Sequence, residues 1–79
     1  PGAGMAEAEI AAERLRSSVA GSGFALKDGT KVPVTVSIGV AQAQRGEALD
    51  SLLRRADQAL YVAKNGGRNQ VQAADNAAA

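Results

Sequence analysis

Apolar residues recur at steps of three and four in two stretches of the chain, and such spacing places them on one face of a helix. In the first stretch this stripe consists of Met5, Ala8, Ala12, Leu15 and Val19. The pattern predicts a helix from Met5 to about Ala20, which ends at the flexible run Gly21-Ser22-Gly23. Arg14 and Arg16 fall in its C-terminal half, where we expect them to be solvated surface charges.

The second stretch predicts the other helix, over about Glu47–Asn65. Its stripe consists of Leu49, Leu52, Leu53, Ala56, Ala59, Leu60 and Ala63. Asp50 and Arg54 stand in the favourable order for an i,i+4 ion pair. The pair Gly66-Gly67 follows, and both glycines are expected to supply the positive φ at which helices end.

Between the helices the pattern changes to strict alternation. β-branched residues occupy every second position: Val32, Val34, Val36, Ile38 and Val40. A period of two predicts one strand over Val32–Ala41, with the β-branched face in the core. The other face is small throughout and includes Gly39, so a helix or a ligand could approach it closely, and we expect a helix to pack there.

Two shorter signals complete the predicted fold. Asp28-Gly29 separates the apolar run Phe24–Leu26 from the strand, which is typical of a hairpin turn. Gln70–Gln72 can form a short last strand, and the alanine-rich segment 73–79 is expected to be a disordered tail. The sequence therefore predicts an α+β domain over residues 1–72, ordered helix, hairpin, helix and short strand, with an antiparallel sheet.

Composition excludes several kinds of chemistry. The chain has 79 residues without cysteine or histidine, so disulfides, thiolate sites and histidine-based catalysis are ruled out. Its net charge of +1, from 9 basic and 8 acidic residues, gives no electrostatic footprint for nucleic acid. No apolar run reaches the ~20 residues that span a bilayer, so no membrane contact is expected from this segment. Asp57 lacks a second acid spaced to bind Mg²⁺ with it, and we predict no catalytic or metal-binding residue.

Two cations flank the predicted end of the second helix. Lys64 lies in its last turn and Arg68 just beyond the glycines. One interpretation is general, because cations near a helix C-terminus complement the helix dipole and help to satisfy its last carbonyls. The other is a pair of side chains that binds an anion such as phosphate, for which lysine and arginine are well suited.

Three segments carry a resemblance to a known family. A-D-Q-A-L-Y-V-A-K-N-G-G-R-N-Q-V, from Ala56 to Val71, resembles the closing segment of the GGDEF domain, the catalytic domain of bacterial diguanylate cyclases. V-T-V-S-I-G-V-A, Val34–Ala41, resembles the preceding strand, and A-E-R-L-R, Ala12–Arg16, the helix before it. The resemblance covers the chain to about Gln72, while the G-G-[DE]-E-F motif itself does not occur in it.

The resemblance implies a truncated nucleotidyl-cyclase-like, ferredoxin-like fold and a place in cyclic di-GMP signalling. A complete domain of the family condenses two GTP molecules into cyclic di-GMP, with Mg²⁺ as cofactor, when two domains meet head to head. The carboxylates that hold Mg²⁺ and the guanine-reading residues belong to the first half of the domain. We therefore expect this 79-residue chain to be inactive alone. Its strand would have an open edge, which favours a homodimer or an excised piece of a longer cyclase.

The resemblance also assigns residues. Lys64 and Arg68 match the family positions that contact the β and γ phosphates of GTP. Arg14 matches a position that, in some members, helps to bind cyclic di-GMP at an inhibitory site. Such a protein is expected in the cytoplasm, with or without a membrane anchor upstream.

Two other functions stay open at this point. One is a degenerate GGDEF domain that binds GTP or a protein partner as a regulatory module without catalysis. The other is a small α/β interaction module unrelated to signalling, held through its open sheet edge, but this leaves the spacing of Lys64 and Arg68 unexplained.

Overall fold

A computed structural model describes residues 4–75 of the chain. It contains two helices and four short strands. In chain order these are α1 (Met5–Ser22), β1 (Phe24–Ala25), β2 (Lys31–Val32), β3 (Ile38–Val40), α2 (Leu49–Asn65) and β4 (Val71–Ala73). The α+β class and the order helix, hairpin, helix, short strand are confirmed.

Helix α1 runs two residues beyond the predicted end at Ala20. Its first turn is closed by Gly4, whose amide donates to the carboxylate of Glu7 at 3.0 Å. Its end comes at Gly23, which has a φ of 66° and donates its amide to the carbonyl of Val19 at 3.3 Å. None of the residues of α1 is buried, so this helix rests on the remainder of the described chain by one half-buried face.

The prediction of one continuous strand over Val32–Ala41 is wrong. Only its two ends are strands, with Val32 in β2 and Ile38–Val40 in β3. Pro33 follows β2 directly and has no amide hydrogen, so it cannot donate to a strand ladder. The partner strand β1 is also only two residues long, pairing Phe24 with Val32 in the antiparallel hairpin that the turn signal predicted.

The two described sheets have two strands each, and they differ in direction. While β1 and β2 are antiparallel, β4 lies parallel to β3, in a register that pairs Ile38 with Val71 and Val40 with Ala73. A parallel pair needs a crossover connection, and α2 supplies it. The predicted antiparallel sheet is present as the β1–β2 hairpin, and the described chain adds a separate parallel pair, β3 and β4.

The centre of the fold is the contact between α2 and β3. Ala59 and Ala63 of α2 are the buried apolar residues of the described chain, at 5% and 0% exposure. A Cβ atom added to Gly39 would lie 2.5 Å from both the Ala56 carbonyl oxygen and the Leu60 amide nitrogen. The helix backbone thus rests directly on the strand backbone, and the close packing predicted for the small face is confirmed.

The opposite, β-branched face is only partly covered. Val36, Ile38 and Val40 are half-buried, whereas Val32 and Val34 are exposed at 39% and 37%. The prediction of a core face is wrong for these first two valines, because the β1–β2 hairpin, which ends just before Val34, does not pack on the other described helices and strands.

The expected boundary between domain and tail falls inside an element. Ala73 belongs to β4, and the amide of Ala74 donates to the carbonyl of Val40 at 2.7 Å. Of the predicted tail, residues 76–79 lie outside the described part of the chain.

Candidate phosphate-binding site

Backbone amides of the following loop close the C-terminal end of α2. The Gly66 amide donates to the carbonyl of Val62 at 2.8 Å, and the Arg68 amide donates to that of Ala63 at 3.0 Å. Two of the last carbonyls of the helix are therefore satisfied without a lysine or arginine side chain. This weakens the interpretation in which Lys64 and Arg68 serve mainly to cap the helix end.

The loop after α2 holds an unusual run of backbone conformations. Gly66 has a φ of −85°, so only the second glycine of the predicted pair is left-handed, at 119°. Arg68 and Asn69 continue in the left-handed region with φ of 61° and 49°. Asparagine tolerates this region, but for other residues it costs about 1 kcal/mol or more. Arg68 therefore needs contacts that hold its backbone in place.

The two candidate side chains are both exposed: Lys64 lies just before the end of α2 in the chain, and Arg68 lies just after it. Neither makes a hydrogen bond or an ion pair with another residue of the described chain. They stand four positions apart in sequence, but Arg68 lies in the loop beyond the last residue of α2, so helical spacing does not apply to this pair. The structure thus leaves two unneutralised positive charges beside an anchored loop.

Arg16 is a residue whose role the sequence did not predict. Its side chain is only 19% exposed, and its Nη1 donates to Oδ1 of Asn69 at 2.7 Å. Its Nε donates to Glu13 at 2.7 Å, and this guanidinium lowers the pKa of the Glu13 carboxyl. The expectation of a solvated surface charge is wrong for Arg16, because the loop after α2 packs against α1 at this point. The Glu13–Arg16 spacing signals a local ion pair, but nothing in the sequence signals a contact 53 positions away.

Arg14, the candidate residue for inhibitory product binding, lies apart from this loop. It is exposed on α1, and two helical positions correspond to a rotation of about 200°. Since Arg16 faces Asn69, Arg14 points to the other side of α1. The structure does not join it to Lys64 and Arg68 in one site.

A second arginine, Arg55, is the centre of a polar cluster with four hydrogen bonds from its guanidinium. It donates to both carboxylate oxygens of Glu47, at 2.8 and 2.7 Å, and to the carbonyls of Gln42 at 2.6 Å and Asp75 at 3.0 Å. The hydrogen bonds from Arg55 and Ser51 lower the pKa of Glu47 to about 2. This cluster joins the loop before α2 to the residues that follow β4.

The ion pair predicted between Asp50 and Arg54 does not form within residues 4–75. A cavity of about 470 Å³ opens between α2 and β4, beside Arg55 and Val62, and is not lined by Lys64 or Arg68. In the described part of the chain, no three acidic side chains gather where they could hold a metal ion. Neither described helix is long and apolar enough to cross a bilayer.

Comparison with known structures gives the same fold. The GGDEF domain of DgcB from Caulobacter crescentus, solved in complex with c-di-GMP, superposes with a TM-score of 0.85 at 33% identity. The match covers 94% of this chain and 43% of that structure. A longer structure of the same protein, with its coiled coil, matches with a TM-score of 0.83 at 34% identity.

Comparison of sequences also finds similar proteins. The response regulator PleD of Caulobacter vibrioides is 45% identical over 73 residues, which are 90% of this chain and 16% of PleD. The diguanylate cyclase DgcM of Escherichia coli is 60% identical over 40 residues, 51% of this chain and 10% of DgcM. The chain thus spans a small fraction of each relative. The profile of the family described as "Diguanylate cyclase, GGDEF domain" matches residues 1–70, and the chain therefore belongs to the GGDEF domain family.

Proposed function

We propose that this chain is the C-terminal portion of a diguanylate cyclase catalytic domain, and that the whole protein condenses two GTP molecules into cyclic di-GMP. The family match and the diguanylate cyclases among the relatives support this function. The observation that carries it is the pair of exposed, unneutralised cations, Lys64 and Arg68, beside the loop that ends α2.

The role of these two side chains follows from charge. In the condensation, the 3′-oxygen of one GTP attacks the α phosphorus of another, and pyrophosphate leaves with additional negative charge. Positive groups on the β and γ phosphates stabilise that charge as it develops. A helix C-terminus presents carbonyls rather than amides, so in this position only side chains can bind phosphate. Lys64 and Arg68 are the side chains that we assign to this task.

Mg²⁺ belongs to the proposal only for the whole domain. The described residues lack a group of three acidic side chains and so do not fit a magnesium site. We place its ligands in the part of the domain outside this chain. For the same reason we propose that the 79-residue chain makes no product alone. The whole protein would act in the cytoplasm as a homodimer, with one GTP on each domain.

Arg14 is proposed for a different role. It is exposed on α1 and faces away from the Asn69 loop, so it is free to contribute to a separate site for cyclic di-GMP. Binding of product there would inhibit the enzyme.

The test of the proposed reaction is product formation by the full-length protein. Purified protein incubated with GTP and Mg²⁺ should release cyclic di-GMP and pyrophosphate, as measured by liquid chromatography. The second candidate is a degenerate GGDEF module that binds GTP without turning it over. GTP binding without product would favour that module and contradict the cyclase.

A further inference from the structure

The loop that carries Arg68 is attached to α1 by one guanidinium. Arg16 uses Nε and Nη2 to bind the carboxylate of Glu13, and its remaining nitrogen, Nη1, donates to Oδ1 of Asn69. The planar guanidinium can make both contacts at once because its donors point in fixed, different directions. Glu13 thereby sets the plane of the group, and Asn69 receives an oriented, charge-assisted hydrogen bond.

The residue next to Asn69 is the one that needs support. Arg68 and Asn69 are both left-handed, with φ of 61° and 49°, and this conformation is unfavourable for an arginine. On one side the Arg68 amide is tied to Ala63 of α2. On the other, its carbonyl accepts from the Gln70 side chain at 3.2 Å. The bond from Arg16 adds a contact with a different helix, directly after Arg68.

We infer that Arg16 is a positioning residue for phosphate binding, which acts through Asn69 to hold the Arg68 backbone in its left-handed conformation. The inference rests on the proposed function, in which Arg68 binds GTP phosphates. Arg16 itself is turned toward Glu13 and Asn69 and does not contact the nucleotide. With the anchor in place, the backbone of Arg68 is held directly after the end of α2, whose last turn carries Lys64. Without it, the loop samples conformations that direct Arg68 elsewhere.

The perturbation is Arg16→Met, which keeps an unbranched side chain and removes all three donor nitrogens. In the full-length protein we expect GTP to bind about tenfold more weakly, which corresponds to ~1.4 kcal/mol. Binding of GMP, which lacks the β and γ phosphates, should stay unchanged. Arg16→Lys should be affected nearly as much, because one ammonium cannot reproduce both contacts. The control is Arg54→Met, which removes an exposed helical charge that has no partner among the described residues and should bind GTP like the wild type.

A double-mutant cycle tests whether Arg16 acts through Asn69. Asn69→Gly removes the acceptor, while glycine adopts a φ of 49° without strain. If Arg16 acts through Asn69, the variant with both changes should bind GTP no more weakly than whichever single variant has the lower GTP affinity. Fully additive losses would overturn the connection.

A measurement without nucleotide separates this inference from the proposed function. Hydrogen exchange of the Arg68 amide reports whether its bond to Ala63 is formed. Arg16→Met should accelerate this exchange by about tenfold. Unchanged exchange would overturn the anchoring role whatever the nucleotide data show. Faster exchange with normal GTP binding, while Arg68→Ala still loses GTP, would refute the link to phosphate. If Arg68→Ala shows no loss specific to GTP, the proposed function fails and the phosphate part of this inference fails with it.

Discussion

Gly39 offers a sharp test of the packing that places the candidate site. The strand β3 meets α2 at this residue, with room for a hydrogen but not for a methyl group. An added Cβ would lie 2.5 Å from two backbone atoms of α2, the Ala56 oxygen and the Leu60 nitrogen. To reach the 3.4 Å of an ordinary contact, helix and strand would have to separate by about 0.9 Å. Backbone atoms cannot rotate aside as a flexible side chain would.

The free energy of unfolding should therefore fall in the Gly39→Ala variant. Overpacking typically costs about 1–3 kcal/mol, and a clash with backbone places this site at the upper end, at ~2–3 kcal/mol. Separation of α2 from β3 would also expose Ala59 and Ala63, which are now buried. Because α2 carries Lys64, GTP binding should weaken in the same variant.

Urea denaturation of the complete GGDEF domain, followed by circular dichroism, measures the effect. The matched control is Gly21→Ala in α1, where an added Cβ meets nothing within 4 Å. That variant should be more stable than the wild type by ~0.5–1 kcal/mol, because alanine is the better helix former. If Gly39→Ala were as stable as Gly21→Ala, the close contact between α2 and β3 would be refuted.

The remaining predictions concern acid stability, association and activity. Glu47 has a folded-state pKa of about 2 against an ordinary 4.5, so its contribution to stability is complete above about 4.5 and is lost as the pH falls toward 2. Thermal unfolding from pH 6 to pH 2 should show this loss, and Glu47→Gln should reduce that pH dependence; an unchanged profile would contradict the assignment. The isolated chain should self-associate, since β3 pairs only with β4 among the described strands; light scattering that finds a folded monomer at high concentration would be evidence against it. The isolated chain should also yield no cyclic di-GMP from GTP and Mg²⁺, and detection of product would contradict this.

The helices were predictable because their apolar stripes repeat along one face. The predicted bounds agree with the structure within two residues at each end, Met5–Ser22 and Leu49–Asn65. The strand was less predictable. Alternation of β-branched residues continues through Pro33, yet pairing depends on a partner strand, and neither partner extends beyond three residues.

Two polar contacts in the described chain join residues that short-range spacing rules do not pair. The spacing rule for helices favoured Asp50 with Arg54, but the observed pair joins Glu47 with Arg55 across eight positions. Glu47 lies before the helix begins, so the i,i+4 rule does not apply to it. In the same way, the bond from Arg16 to Asn69 depends on how α1 packs against the loop, which no local spacing encodes. Lys64 and Arg68 were identified by resemblance, and their assignment to phosphate stays a prediction.

The most direct measurement of the central claim is a calorimetric titration of GTP, GDP and GMP into the full-length protein. Wild type is compared with Lys64→Ala and Arg68→Ala, and Arg54→Met controls for the loss of one positive charge. Each of the two site variants should bind GTP more weakly by ~1.5–3 kcal/mol, the range for a charged hydrogen bond. The loss should shrink from GTP to GDP and vanish for GMP, while thermal stability stays near that of the wild type because both side chains are exposed. Equal losses for all three nucleotides, or no loss, would contradict the claim and leave only the interaction with the helix dipole for these two residues.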